Sequence, residues 1–351
     1  IMAYTDIDKP SDYFRIKLYA GNAAANRAIT WDETDTNMQP DMLWFKSRTD
    51  TQSHCLFDSV RGAVLRLIPN SDDAEGTENT NLDSFDTNGF QVDAEAIVNG
   101  SSRNYVTWGW KAGTSFTNDA SSTGIGTIDS SGSVNTDAGF SITKFTADGN
   151  NLTAAHGLGV APKMIITKNR SISKQWSVYH SSLGANKSIN LNTTAAADTD
   201  NSYWNNTAPT STTLSYGTWS GNNNGNEIIA YCFAEKQGYS KFGSYTGNGN
   251  ADGTFVYTGF KPRWIMIKGT NIARNWGIND TKRSPINQTQ DSLYANVADA
   301  ETGSGNYIDF LSNGFKLRDS ALTMNGAYNY IYMAFAENPF VTSSGVPATA
   351  R

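Results

Sequence analysis

Pro40-Asp-Met-Leu-Trp-Phe-Lys46 returns as Pro162-Lys-Met-Ile-Ile-Thr-Lys168 and again as Pro262-Arg-Trp-Ile-Met-Ile-Lys268. Each is a proline, an apolar run and a closing lysine, and the three recur at intervals of about a hundred residues. The ruler extends beyond the run. Fourteen residues after each proline stands His54, Trp176 or Trp276, and eighteen after it stands Asp58, His180 or Asp280. Spacing of this kind within one chain points to three copies of one β unit.

The far end of each copy supplies a long aromatic strand, at Tyr105–Lys111, Ile228–Glu235 and Tyr330–Glu337. From the proline to the last aromatic the copies measure 70, 71 and 73 residues. Asn88-Gly89-Phe90 and Asn313-Gly314-Phe315 both put their glycine 21 residues before that aromatic. Asn-Gly tolerates positive φ, so both predict tight hairpins. Copy two lacks the motif and carries the longer polar stretch Tyr216–Gly225 in its place.

Upstream of each proline an aromatic run leads into a Gly/Asn turn, beginning at Phe14, Phe140 and Tyr239. These landmarks predict an N-terminal segment plus first unit over 1–112, a second unit over 139–236, a third over 237–338 and a tail over 339–351. Residues 113–137 hold no lysine or arginine and are mostly Ser, Thr, Gly, Asn and Asp. That composition predicts a linker over 113–138.

Charged residues make up only 17 % and aromatics 12 %, with Gly, Asn, Ser and Thr filling the rest, which suits short strands joined by polar turns. Helical three-and-four spacing is interrupted throughout. The net charge of −6 and the scatter of the 27 basic residues argue against nucleic acid as a partner. No apolar run is long enough for a membrane helix and no leader pattern opens the chain, so the expectation is a soluble protein without membrane insertion. Ile1 before Met2 departs from a natural start. Cys55 and Cys232 fall at inequivalent positions of different copies and read as free buried thiols.

In the strand after Pro262, Trp264 and Met266 point one way and Ile265 and Ile267 the other, so both faces are apolar. Such a strand is central and covered on both sides. The fold this predicts is all-β: three tandem antiparallel β-sandwiches of jelly-roll type, each with enough aromatic core to fold alone.

Asp58-Ser-Val-Arg61 and Asp280-Thr-Lys-Arg283 repeat an Asp-x-x-Arg pair at one register, broken in copy two by His180 and Leu183. The pair serves either as an acid or ligand clamp, or as a turn cap in which the aspartate binds its own arginine. His54 stands where the other copies have tryptophan and reads as a packing substitute. No metal-binding cluster, phosphate loop or nucleophile elbow is present, so the chain is expected to be neither a metal nor a triad enzyme, with no cofactor. Aromatics among polar loop residues are a common means of holding sugars, since a ring stacks on a pyranose while amides take its hydroxyls. Copy two offers such a set in Tyr203, Trp204, Asn205, Tyr216, Trp219 and Asn223. The alternative is that these rings plug the end of a sandwich.

Met2–Phe14, His156-Gly-Leu-Gly-Val-Ala-Pro-Lys163 and Tyr330-Ile-Tyr-Met-Ala-Phe-Ala-Glu-Asn-Pro-Phe340 together resemble proteins of marine tailed bacteriophages. These form a repeat family known at best as tail-fibre or virion structural proteins. The resemblance covers nearly the whole chain and carries over no catalytic or binding residue. It implies a virion component assembled in the bacterial cytoplasm, partnered by other virion proteins. The expected role is a tail fibre or appendage, commonly a homotrimer, that presents loops to host-surface glycans. Two alternatives stand beside it: a capsid decoration or head-fibre protein with structural contacts only, and a glycan depolymerase, which requires two carboxylates about 5–10 Å apart in a groove.

Overall fold

The computed structural model describes residues 4–219, 221–303, 305 and 307–349, so Ile1 to Ala3 at the chain start and Ser220 in the copy-two polar stretch lie outside the described residues. It is an all-β protein, with one short α-helix at Ala120–Thr123 and one 3-10 turn at Pro10–Asp12 among the described residues.

Each copy builds an inner and an outer antiparallel sheet, and copy one adds the short pair Leu65–Arg66 with Gly76–Thr77. In copy one an inner sheet runs in the order Phe14–Ala20, Asn104–Trp110, Met42–Ser47, Cys55–Asp58, and an outer sheet in the order Arg27–Thr30, Gly89–Val92, Leu82–Asp86. The first strand thus pairs with the last and the second with the penultimate, which is the nested closure of a jelly roll. The inner edge departs from that plan, because Met42–Ser47 and Cys55–Asp58 are adjacent as a direct hairpin. Copy three repeats the arrangement with Ser240–Thr246, Asn329–Pro339, Phe260–Gly269 and Gly277–Asp280 inside and Phe255–Tyr257, Gly314–Leu317 and Ile308–Leu311 outside. The register repeats too: Met42 lies opposite Trp110, Met164 opposite Phe233 and Trp264 opposite Phe335.

Both Asn-Gly hairpins form, joining Asp86 to Gly89 and Leu311 to Gly314. The glycine does its work one place beyond the turn. A Cβ at Gly89 would stand 2.1 Å from the Ile29 carbonyl oxygen, and one at Gly314 2.2 Å from that of Val256. The neighbouring outer strand approaches too closely for any side chain.

The alternation of apolar residues along the proline strands divides them between two cores. Leu43 and Phe45 face the outer sheet of copy one, and Ile265 and Ile267 that of copy three. Met42, Trp44, Met164, Ile166, Trp264 and Met266 all enter one common cluster drawn from the three copies. Each copy keeps a core between its own two sheets, and a further core is shared among all three. Their inner sheets face one another about an internal threefold axis, and the second apolar face of each is covered by the other two. Phe14 of copy one stacks on Phe335 of copy three at 5.1 Å, Phe233 of copy two reaches the same ring at 6.1 Å, and Trp110 meets Trp264 at 5.7 Å. The axis is closed. The void left between Met42, Trp110, Ile166, Phe233, Trp264 and Met333 is about 10 Å³, at the lower limit of room for a single water, and its lining is wholly apolar.

The segment predicted as a linker is instead structured. Thr114–Asn118 and Ser130–Asn135 form a hairpin that extends the inner sheet of copy two, pairing through Ser130–Asn135 with Phe140–Thr146. Serine and threonine suit exposed edge strands as well as loops, and composition did not separate the two. Both cysteines are free and buried. No helix among the described residues is long and apolar enough to cross a membrane.

Candidate functional site

The residues that the repeat ruler singles out converge on the three joints between copies. Trp176 of copy two donates its indole N–H to the carbonyls of Ile68 and Ser71 of copy one, at 3.0 and 3.1 Å. Trp276 of copy three donates to Asn190 of copy two at 2.9 Å. His54 of copy one closes the ring: its Nδ1 accepts from Trp44 Nε1 at 2.8 Å, which leaves the proton on Nε2, and Nε2 donates to the Tyr294 carbonyl of copy three at 3.0 Å. His54 is a packing substitute that keeps the tryptophan's hydrogen bond.

The Asp-x-x-Arg pairs lie at the same joints. Asp58 Oδ1 accepts the backbone N–H groups of Val60 and Arg61, and Oδ2 binds Arg61 Nε at 2.6 Å and the Tyr231 hydroxyl of copy two at 2.6 Å. Asp280 caps its own turn likewise, binds Arg283 Nε at 2.6 Å and takes the indole N–H of Trp108 of copy one at 3.1 Å. Each arginine continues into a longer chain of charge. Arg61 reaches Glu75 at 2.7 Å, and Glu75 is held by Arg170 of copy two at 2.7 Å. Arg283 reaches Glu301 at 3.0 Å, and Glu301 is held by Arg48 of copy one at 2.7 Å. Burial works to depress the Arg61 and Arg283 guanidinium pKa values, but the carboxylates beside them outweigh it and push both up. Asp58 and Asp280 have no exposed surface, so both are turn caps and joint anchors.

The third joint, between copies two and three, carries none of this charge. Leu183 stands in place of the first arginine, Ala197 of the glutamate and Thr270 of the second arginine. The backbone bond persists, Ala197 N to Thr270 O at 2.8 Å, matching Glu75 N to Arg170 O and Glu301 N to Arg48 O at 2.9 Å each. His180 replaces the aspartate and faces the Tyr332 carbonyl of copy three at 3.2 Å. Where the arriving strand offers Met333 rather than a Tyr231 or Trp108 donor, the carboxylate and its whole retinue are gone together.

The closing lysines are buried as well, bonded to carbonyl oxygens. Lys168 Nζ donates to Asn169 O at 2.8 Å and to Asp72 O of copy one at 3.2 Å. Lys268 donates to Arg274 O at 2.7 Å and Thr194 O of copy two at 3.0 Å, and Lys46 to Ser47 O at 2.7 Å. Burial lowers all three pKa values to about 8.

The joint histidines set an acid limit on the fold. Burial, aided by the Lys46 charge, pushes His54 down to about 3, and burial pushes His180 down to about 4. An unfolded histidine binds a proton near pH 6.5 while the folded ones do not, so the unfolded state holds more protons between pH 6.5 and 4. Stability therefore falls as the pH drops through that window, by up to about 1.4 kcal/mol per pH unit for each histidine. Denaturant midpoints measured from pH 7 to 4 are expected to fall steadily, and to fall less steeply in His180→Gln.

Of the six loop residues in copy two, the structure buries Tyr203, Trp204 and Tyr216. They are core residues and offer no ring to a ligand. Trp204 packs on Tyr179 at 5.8 Å and Tyr216 on Phe145 at 5.6 Å. The cause is local: among the described residues the outer sheet of copy two has only Leu152–Ala155 and Thr213–Tyr216, and no hairpin such as the one that brings Phe310 and Phe315 into copy three. The loop rings fill the vacated volume. Trp219 remains 48 % exposed, beside Tyr203 at 5.6 Å and under the Lys174 ammonium at 5.4 Å. Asn205, in a turn, and Asn223 are exposed. Trp204→Ala is expected to cost about 3–5 kcal/mol, and Trp219→Ala to stay within about 0.5 kcal/mol of the parent, by urea denaturation.

Two features escaped the sequence reading. Arg48, Arg170 and Glu301 complete the charge chains, and the shared Lys-x-Arg at 46–48 and 168–170 was the available signal; Glu75, an acid of a polar loop by sequence, is held between Arg61 and Arg170 rather than solvated. Phe255 and Tyr257, 44 % and 54 % exposed, stand on the outward face of copy three where copy one has Ala28 and Thr30. Tyr4 adds its hydroxyl 3.4 Å from that of Tyr257. Among the described residues no three His, Cys, Asp or Glu side chains converge on a metal position. The family model that matches the chain, over residues 9–339, is described as a domain of unknown function (DUF7483). Neither a curated protein nor a solved structure matches it.

Proposed function

The chain belongs to the DUF7483 family along nearly all its length, and from that premise we propose that it is a display protein of a bacteriophage particle, a fibre or appendage module that carries loops to host-surface glycans. The observation that supports this reading is the division of labour between inside and outside. The repeated aspartates, arginines, lysines and joint histidines are buried and bonded between or within copies, while copy-specific aromatics, Trp219 in copy two and Phe255 and Tyr257 in copy three, face outward. An internally threefold body whose copies share their buried joints and present different aromatics at the surface is suited to presentation. The resemblance of Met2–Phe14, His156–Lys163 and Tyr330–Phe340 to phage virion proteins favours the same reading. Three copies in one chain already supply a threefold axis, so this reading does not depend on a homotrimer.

A glycan array probed with the purified chain, together with its molar mass in solution, tests this. Retention on bacterial surface glycans that drops in Trp219→Ala or Tyr257→Ala is the expected result. A chain that ignores both host cells and glycans counts against it. The second reading, a capsid decoration or head-fibre protein, draws on Phe255 and Tyr257 as an apolar patch for a virion neighbour. Electron cryo-microscopy of the particle separates the two, since density on the capsid lattice favours the second.

A further inference from the structure

We propose that the open edge of the added hairpin pairs with the same edge of a second molecule, joining two chains about a twofold axis through Thr114–Asn118; this stands apart from the glycan reading. In copies one and three the inner sheet ends on the copy's first strand, Phe14–Ala20 or Ser240–Thr246. In copy two the corresponding strand, Phe140–Thr146, is covered by Ser130–Asn135, and Thr114–Asn118 becomes the end of the sheet.

Arg170 donates its N–H to Glu227 O at 2.8 Å, and Ala234 donates to Gly139 O at 2.7 Å. These bonds fix which residues of each strand turn to which neighbour. Carried across the continuous registers, the alternation turns Thr114, Phe116 and Asn118 toward Val134, Gly132 and Ser130. Ser115 and Thr117 therefore send their backbone N–H and C=O groups outward. Among the described residues none of these groups has a hydrogen-bond partner, and both residues are exposed.

A free row of this kind is a template for another strand, and edges are ordinarily blunted by charge, proline or a bulge. Every other edge strand of five or more residues among the described residues is blunted in this way. Phe14–Ala20 carries Arg15 and Lys17, Ser240–Thr246 carries Lys241, and Leu82–Asp86 carries Asp83, Asp86 and a register shift. Thr114–Asn118 has no charge, no proline and an unbroken register. Both of its ends are held. Asp41 takes the N–H groups of Ala112 and Gly113 at 2.8 and 2.7 Å, and the Asn118 carboxamide bonds Ile125 O at 2.9 Å and the Thr123 hydroxyl at 2.8 Å.

The residues fit this edge to itself. Twofold pairing of identical strands is antiparallel, and centring it on Phe116 sets Ser115 of each molecule opposite Thr117 of the other. Their outward N–H and C=O groups then satisfy one another on both sides of the axis. Phe116 meets Phe116 at the non-hydrogen-bonded position, where side chains approach most closely. Its ring is half-buried over Gly132 and Gly157, 3.1 and 3.2 Å from where a Cβ would stand on each. The charges agree with this register, which carries Asp119 to Gly113 of the second molecule. Asp119 is exposed and bonded by Ser121 and Ser122 of its own turn. Lys111 runs beside Gly113, its Cε 3.9 Å from the Cβ position there, and has no ion-pair partner among the described residues. Each molecule thus offers an ammonium where the other brings a carboxylate.

Sedimentation equilibrium of the full chain tests this. The mass is expected to rise from 38.1 kDa toward twice that with concentration, with a dissociation constant of about 1–100 µM, as suits a small interface. Thr117→Pro removes an N–H that bonds nothing within the chain, and Ser115→Lys with Thr117→Lys sets like charges opposite each other. Both variants are expected to weaken the dimer about tenfold or more, with the far-ultraviolet circular dichroism of the parent. Lys111→Glu is expected to weaken it about threefold or more. A dimer undiminished by Thr117→Pro and by the lysine pair uses another surface and overturns the proposal. A chain that stays monomeric up to about 1 mM overturns it as well, and leaves the edge to a strand of some other polypeptide.

Discussion

Replacing Asp58 by alanine is expected to lower the stability of the entire chain by about 3–5 kcal/mol, the cost of leaving a buried charge without its partner. Arg61 has no exposed side-chain surface, and Asp58 supplies its closest carboxylate as well as the acceptor for Tyr231 of copy two. Removing the aspartate leaves the buried guanidinium with Glu75 as its one remaining carboxylate and orphans a phenol and two backbone N–H groups at once. Copy two contains the remedy. Its joint with copy three has Leu183 at the arginine position and no ionic chain, so Asp58→Ala combined with Arg61→Leu should recover much of the loss. Glu75 and Arg170 remain paired with each other at 2.7 Å in that double variant. Urea denaturation of the two variants and the parent checks this, and equal stability of Asp58→Ala and parent would contradict it.

Truncating Trp264 to alanine is expected to cost a similar amount, about 3–5 kcal/mol, and to be felt outside its own copy. Its ring lies 5.7 Å from Trp110, 6.3 Å from Trp108 and 6.2 Å from Phe14, all of copy one, and 6.0 Å from Phe335 of its own. The cavity would open on the axis, where inner sheets of all three copies would have to move to fill it. Near-ultraviolet circular dichroism should therefore lose signal from the copy-one tryptophans as well. Were copy three an independent sandwich, the loss would be confined to residues 237–338.

Much of this was legible in the residues. The alternation of Trp264 and Met266 against Ile265 and Ile267 gave a strand covered on both faces, and the Asn-Gly pairs gave their hairpins. What covers the second face was not legible, because an apolar stripe names no partner: the same pattern serves a closed sandwich and a sheet packed on its sisters. The Asp-x-x-Arg pairing follows from a separation of three residues, whereas Tyr231, Trp108, Arg48 and Arg170 come to the joints from distant parts of the chain. The rings Tyr203, Trp204 and Tyr216 fitted either surface contacts or plugs of a sandwich end, because their neighbours are polar, and burial decides for the plugs. The missing Asn-Gly-Phe of copy two held the contrary sign, since an outer sheet without that hairpin leaves a hole that something apolar must fill. Residues 113–138 were misread for a related reason: a strand whose one face meets water has the composition of a loop.

Differential scanning calorimetry tests the shared core most directly. Three copies that cover one another's inner faces should unfold together, in one transition whose calorimetric and van't Hoff enthalpies agree. A van't Hoff enthalpy near one third of the calorimetric value, or separate peaks that respond individually to Trp204→Ala and Trp264→Ala, would mean that each copy stands alone.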